Sequence, residues 1–337
     1  MMKKQLSLLV FALMAILVLA ACGGKVEGEK TPENDKQEST VEKEATQQSA
    51  DDGAAGNGMQ EITYLGETYS VPENVERIVI TGAMEAMEDA TVLNIEPVGG
   101  ITVAGEFPET FKAVVGNTES IGEKQQPNFE KILELQPDVI LGTTKFKDEV
   151  VEKLEQIAPT ILVSHISTNW QDNLKLMAQL GDKEEEAKTL LAQYDKDIKA
   201  ATEIKEEFEG KTVMAIRIRG GSLFVYPEDV FFNPSLYNEL GIDVPEVIQK
   251  AKAQEEISIE QLAEVNPDVL FIQVQTSGNQ ENEQAYEELK KNPIIQNINA
   301  FKNDAAYSNI VDSLLEGGTV LSKIEFLKAL EENVLKK

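Results

Sequence analysis

Two segments 130 residues apart share one hydrophobic rhythm. Asn128 to Leu141 reads N-F-E-K-I-L-E-L-Q-P-D-V-I-L, and Ser258 to Phe271 reads S-I-E-Q-L-A-E-V-N-P-D-V-L-F. In each, apolar residues at i, i+3 and i+4 (Phe129, Ile132 and Leu133; Ile259, Leu262 and Ala263) predict a short amphipathic helix that the Pro-Asp pair ends. The unbroken apolar runs that follow, Val139 to Leu141 and Val269 to Phe271, predict strands buried on both faces of a parallel sheet. Arg77 to Ile80, Pro97 to Gly100 and Thr212 to Arg219 punctuate the chain in the same way. Alternating strands and helices predict α/β lobes with right-handed crossovers.

Between the two copies, Lys183 to Phe208 contains no Pro or Gly, and Ala187, Leu190, Leu191, Tyr194, Ile198 and Ala201 keep helical spacing. One helix over residues 183–208, roughly 39 Å long at 1.5 Å per residue, is predicted to connect a lobe at 61–182 to a lobe at 209–337.

The first 60 residues follow neither rhythm. Lys3 and Lys4 precede an apolar run from Leu6 to Ala21, broken only by Ser7 and closed by Leu19-Ala-Ala-Cys22. The run is short against the roughly 20 residues a membrane-crossing helix needs, and its small closing residues suit cleavage. It resembles a bacterial lipoprotein signal peptide over residues 1–21 with its lipobox. That resemblance implies diacylation of Cys22, which becomes the mature N-terminus and anchors the protein on the extracytoplasmic face of the cell membrane. Gly23 to Gln60 is too polar to bury a core and predicts a disordered tether.

Composition narrows the function. The chain has 59 acidic against 31 basic residues, a formal charge of −28. Such a charge opposes nucleic-acid binding and favours a soluble monomer. One Cys and one His exclude a disulfide framework, a zinc finger or a multi-His site for free zinc or manganese. His165 has no nucleophile elbow to serve, and neither a P-loop nor a dinucleotide fingerprint occurs, so an enzyme is not expected.

The lipobox, the polar tether, the echoed E-x-(I/L)-x-E-x-x-P-D elements and the single connecting helix together resemble the substrate-binding lipoproteins of iron-siderophore ABC importers. The resemblance covers residues 61–337 and extends to Val98-Gly-Gly100, Ile121-Gly122 with Pro127-Asn-Phe-Glu130, and Leu236 to Gly241. It implies an α/β fold of two Rossmann-like lobes joined by one long α-helix, in the manner of class III periplasmic binding proteins. It further implies an Fe(III)-siderophore held in a shallow cleft between the lobes, with no cofactor and no protein ligand to the metal.

Arginine is the scarce cation here, with only Arg77, Arg217 and Arg219 among 31 basic residues. Arg217 and Arg219 lie two apart on one predicted strand and therefore share a face. They end it at Gly220-Gly221, the carboxyl edge where open α/β sheets bind ligands. A guanidinium fork suits carboxylate or catecholate oxygens. Loops after neighbouring strands add Lys124 to Gln126, Lys145, His165 and Trp170 from the first lobe, with Tyr226, Phe231, Gln273 to Ser277 and Tyr307 from the second. Where relatives carry an aromatic late loop, this chain has Asp312 to Glu316, which turns the expectation toward a citrate- or hydroxamate/carboxylate-type chelate. A haem or corrinoid ligand meeting Tyr226, Tyr307 or His165 is the alternative binding function, and a surface scaffold or adhesion lipoprotein is the alternative of another kind. The family resemblance also implies surface glutamates that dock to an ABC permease, for which Glu88, Glu85 and Glu239 are the candidates.

Overall fold

A computed structural model describes residues 58–275 and 280–336. Cys22, the signal segment, most of the tether and, in the second lobe, Thr276 and Ser277 lie outside the described residues.

The chain opens on an antiparallel hairpin, β1 (Met59–Tyr64) and β2 (Glu67–Pro72), which the sequence reading did not anticipate. Leu65 and Gly66 both take positive φ, 49° and 89°, and so form the tight turn that matches strand twist. The Tyr64 hydroxyl pins the hairpin to the first lobe by donating to Asn173 Oδ1 (2.5 Å) and accepting from the Ser164 amide (2.8 Å).

The first lobe is a six-stranded sheet built from β3 (Ile78–Ile80), β4 (Gly99–Thr102), β5 (Glu119–Glu123), β6 (Gln126–Pro127), β7 (Val139–Thr143) and β8 (Thr160–Val163) in the order β6-β5-β4-β3-β7-β8. All neighbours are parallel except β6. Chain order reverses at β3, from which β4 and β5 run one way and β7 and β8 the other. The second lobe's sheet joins β9 (Val213–Arg219), β10 (Ser222–Val225), β11 (Glu255–Ile257), β12 (Val269–Val274) and β13 (Ala306–Ser308) in the order β11-β10-β9-β12-β13. Here β9, β12 and β13 are parallel, and β10 pairs antiparallel with both its neighbours.

The echoed segments do the same work in both lobes. Asn128 caps the helix Phe129–Glu134, and Ser258 forms a capping box with Gln261 on the helix Ile259–Val265. Just past the helices, Gln136 and Asn266 both turn left-handed, with φ of 46° and 50°. The aspartate of each Pro-Asp pair then stitches in the lobe's first strand. Asp138 Oδ2 accepts from the amides of Glu76 and Arg77, and Asp268 Oδ2 from that of Thr212. Each aspartate also returns its own amide to the same strand edge, at Arg77 O and Thr212 O.

The connecting segment folds as two helices, Glu184–Ala200 and Thr202–Phe208, interrupted at Ala201, where ψ is 40°. No Pro, Gly or change of apolar spacing signals that break, so an unbroken helix over 183–208 was the wrong expectation.

Candidate functional site

The carboxyl edges of the two sheets face a cleft of about 430 Å³. Every parallel strand of the first lobe sends residues to it: Met84 after β3, Val103 after β4, Lys124 after β5, Lys145 after β7 and His165 after β8. This is the crevice at which strand order reverses, the general ligand position in open α/β sheets. The second lobe contributes Arg217 and Arg219 from β9, Tyr226 after β10, the Lys252 to Gln254 loop before β11, and Glu316 beyond β13.

Charge is distributed unlike the rest of the surface. Five cationic side chains, Lys124, Lys145, Arg217, Arg219 and Lys252, line the cleft against three carboxylates, Glu123, Asp229 and Glu316. On a chain of formal charge −28 this is a local inversion of sign. Salt screens the remote acids beyond roughly 8 Å, so an anion in the cleft responds mainly to its lining.

Arg217 is held rigidly. Its side chain is 9% exposed and lies over the Phe231 ring, with Cζ 4.8 Å from the centroid, and near Tyr226 at 5.8 Å. Nε donates to Gln273 Oε1, Nη2 donates to the Leu315 carbonyl at 3.3 Å, and Nη1 lies 3.6 Å from Glu316 Oε2. Burial opposes its charge, but Glu316 and Tyr226 outweigh burial and hold the guanidinium above its ordinary range. Arg219 is exposed, and its Nη1 donates at 3.4 Å to Gln254 Oε1, which also accepts from the Tyr226 hydroxyl at 3.0 Å. The two arginines share one face, as period-two alternation requires.

His165 lines the same cleft, but its Nδ1 is engaged with Thr144 Oγ1 at 2.8 Å. Burial and the neighbouring Lys145 push its pKa down, so the ring is neutral near pH 7. Lys145 Nζ lies 3.8 Å from Glu85 Oε1.

Two aromatic candidates lie elsewhere. Trp170 is 6% exposed and starts the helix Trp170–Leu180, where its ring meets Tyr194 edge-on at 5.3 Å and receives Lys323 Nζ at 5.3 Å. Large apolar area drew it into the core rather than onto the cleft wall. Tyr307 lies on β13 and stacks on Phe271 at 5.6 Å, beside a small apolar hollow apart from the cleft.

The docking candidates also need correction. Glu88 is completely buried and Glu85 is 2% exposed, both on the helix Met84–Leu93. The Glu88 carboxylate accepts from Thr319 Oγ1, from Ser322 Oγ at 2.5 Å and from the Glu316 amide at 2.9 Å. Burial pushes its pKa up to about 7 despite those donors. Burial likewise raises Glu85, and it raises Asp89 well above the carboxylate range. Glu88 thereby clasps the two lobes together, and the buried Glu85 and Asp89 carboxylates present nothing to a partner. Glu239 keeps only 20% of its side chain exposed, with Oε1 taken by Lys323 at 2.7 Å and Oε2 by the Tyr194 hydroxyl at 2.5 Å.

Lys252 was not singled out in the sequence, since an exposed lysine before a short strand carries no periodic signal. Glu316 appeared only as part of a loop lacking an aromatic. Its charge partners come from Lys124 and Arg217, 192 and 99 positions away, and no local pattern reveals them.

Residues 98–308 match the model of the periplasmic binding protein family. The chain belongs to that family. The iron-uptake system-binding protein of Bacillus subtilis is 42% identical over 332 residues, covering 98% of this chain and 99% of that protein. The Bacillus subtilis iron(3+)-hydroxamate-binding protein FhuD is 28% identical over 319 residues, covering 90% of each. Among solved structures, the triscatecholate siderophore binding protein FeuA from Bacillus subtilis, complexed with ferri-bacillibactin, superposes with a TM-score of 0.78 at 44% identity, covering 82% of this chain and 99% of that one. The fold is therefore the class III periplasmic binding protein fold expected from the sequence. These relatives are substrate-binding proteins of iron uptake, not enzymes.

Proposed function

We propose that this protein captures a ferric siderophore of the catecholate class outside the membrane, anchored through a lipid on Cys22, and delivers it to an ABC permease. The observation that carries the reading is the gathering of five cations around one cleft of about 430 Å³ on a strongly anionic chain. That size falls within the roughly 300–1,000 Å³ of ordinary ligand pockets. Fe(III) is a hard cation satisfied by oxygen donors, and a hexadentate siderophore already supplies them. The protein then has only the outside of the chelate to recognise. In a ferric tris-catecholate the phenolate charges outnumber the metal's, so the complex is a polyanion that suits Arg217, Arg219 and the three lysines. The likeness to FeuA supports a catecholate over the citrate- or hydroxamate/carboxylate-type chelate that the sequence suggested.

For permease docking, the buried glutamates give way to a pair supplied by the internal echo. Glu130 and Glu260 are exposed in the first turns of the two capped helices, in matching positions of the two lobes. Each follows a loop that lines the cleft, Glu123 to Gln125 and Lys252 to Gln254 respectively. Two carboxylates placed this way flank the ligand, one per lobe, and suit basic residues on the two halves of a transporter.

Equilibrium dialysis against ferric tris-catecholate, ferric citrate, ferric trihydroxamate and haemin, read by the chelates' visible absorbance, tests the ligand class. Preferential retention of the tris-catecholate is expected, and preference for haemin or a trihydroxamate overturns the reading. Charge reversal at both Glu130 and Glu260 is expected to abolish cellular iron uptake while dialysis affinity stays unchanged. Uptake at the wild-type rate rejects this docking pair.

A further inference from the structure

The cleft contains a carboxylate that works against its own ligand chemistry. Glu316 bridges the lobes, paired with Lys124 from the first and lying 3.6 Å from Arg217 Nη1 in the second. Its side chain is 15% exposed, and it opens onto the cleft. Burial alone would raise its pKa, but Lys124, Arg217 and Lys145 hold it far below the carboxylate range, so it carries full charge.

The backbone beneath it is immobilised on both sides. The Glu316 amide donates to Glu88 Oε1 at 2.9 Å, and the Leu315 carbonyl accepts from Gln273 Nε2 at 2.9 Å. The Gly317 amide donates to Ser322 Oγ at 3.0 Å. Gly317 itself has φ of 81°, and a Cβ there would lie 2.5 Å from the Phe231 backbone, so no other residue fits. This loop therefore holds the Glu316 backbone in place, and the side chain opens onto the cleft between Lys124 and Arg217.

We infer that Glu316 is a resident anion of the cleft, which occupies the Lys124–Arg217 pair in the empty protein and yields it to an incoming polyanionic chelate. The inference rests on the anionic-siderophore reading above. Displacing a carboxylate from two cations costs free energy that only a ligand with comparable or greater negative charge recovers. Glu316 thereby sets a charge threshold: a polyanionic chelate replaces the ion pairs it breaks, whereas a neutral ferric complex leaves them broken and unreplaced. It also satisfies the two cations while the cleft is empty.

The test compares wild type, Glu316→Gln and Lys124→Met with the double variant, each checked for an unchanged far-ultraviolet dichroism spectrum. Titration calorimetry uses ferric tris-catecholate and a charge-neutral ferric trihydroxamate. Glu316→Gln is expected to bind the tris-catecholate roughly tenfold more tightly and the trihydroxamate more tightly by at least the same factor, because neither chelate then has an ion pair to break. In the Lys124→Met background the gain on the tris-catecholate should shrink to about threefold or less, because the two residues act through one pair. Tris-catecholate binding by Glu316→Gln that is equal to or weaker than wild type overturns the inference alone, since Glu316 would then serve to position its partners. A wild-type protein that binds no anionic ferric chelate overturns the anionic-siderophore reading, and this inference falls with it.

Discussion

Replacing Glu88 with alanine separates a docking carboxylate from a buried clasp. The substitution strands the Glu316 amide and the hydroxyls of Thr319 and Ser322, all of which point at the missing carboxylate. A buried unsatisfied amide costs about 1–3 kcal/mol, and two rotatable hydroxyls about 1 kcal/mol each, for a loss of roughly 3–5 kcal/mol. Titration of the wild type modifies that loss. Burial lifts the Glu88 pKa from 4.5 to about 7 in the folded protein. Between those values the folded state holds a proton that the unfolded state has released, so wild-type stability falls as pH rises. At about 1.4 kcal/mol per pH unit the decline totals roughly 3 kcal/mol across the window, and the alanine variant escapes it. Glu88→Ala should therefore be less stable than wild type by about 3–5 kcal/mol near pH 5 and by only about 0–2 kcal/mol at pH 8. Urea denaturation followed by far-ultraviolet dichroism at the two pH values measures both numbers. A difference within about 0.5 kcal/mol of zero at both pH values, the behaviour of a solvated surface carboxylate, refutes the clasp and restores Glu88 as a docking residue.

Further expectations concern the cleft and the internal echo. Arg217→Ala should weaken capture of ferric tris-catecholate about 30- to 100-fold in dialysis, because it removes a buried, charge-assisted donor worth roughly 2–3 kcal/mol. Arg219→Ala should cost about tenfold or less, since water screens its exposed charge, and its loss should shrink further in high salt. Trp170 fluorescence should resist acrylamide equally with and without bound chelate, because the ring packs against Tyr194 and Lys323 away from the cleft; a Stern–Volmer slope that falls on ligand addition would place it at the site. Asp138→Ala and Asp268→Ala should each destabilise the protein by about 1–3 kcal/mol in urea melts, since each leaves strand-edge amides unpaired. Full stability in either variant would mean that water replaces the aspartate.

The lobes, their strands and the position of the cleft edge were legible along the chain. Their signals are local: apolar spacing in Phe129 to Leu133 and Ile259 to Ala263, unbroken apolar strands after Pro-Asp, and alternation that puts Arg217 and Arg219 on one face. The same rules say nothing about which side of a helix meets a second lobe. Glu85 and Glu88 read as surface carboxylates available to a permease, yet the helix Met84–Leu93 is covered by residues of both lobes and both side chains are buried. Trp170 and Tyr307 read equally well as cleft walls or core, and packing put both away from the cleft. Glu316 acquired its partners only when residues from opposite lobes were brought within ion-pair distance. Hydrophobic periodicity determined the elements because burial is decided within a few residues of chain. The electrostatic character of the cleft was decided by tertiary structure, because Coulomb interactions depend on separations in space that sequence distance does not encode.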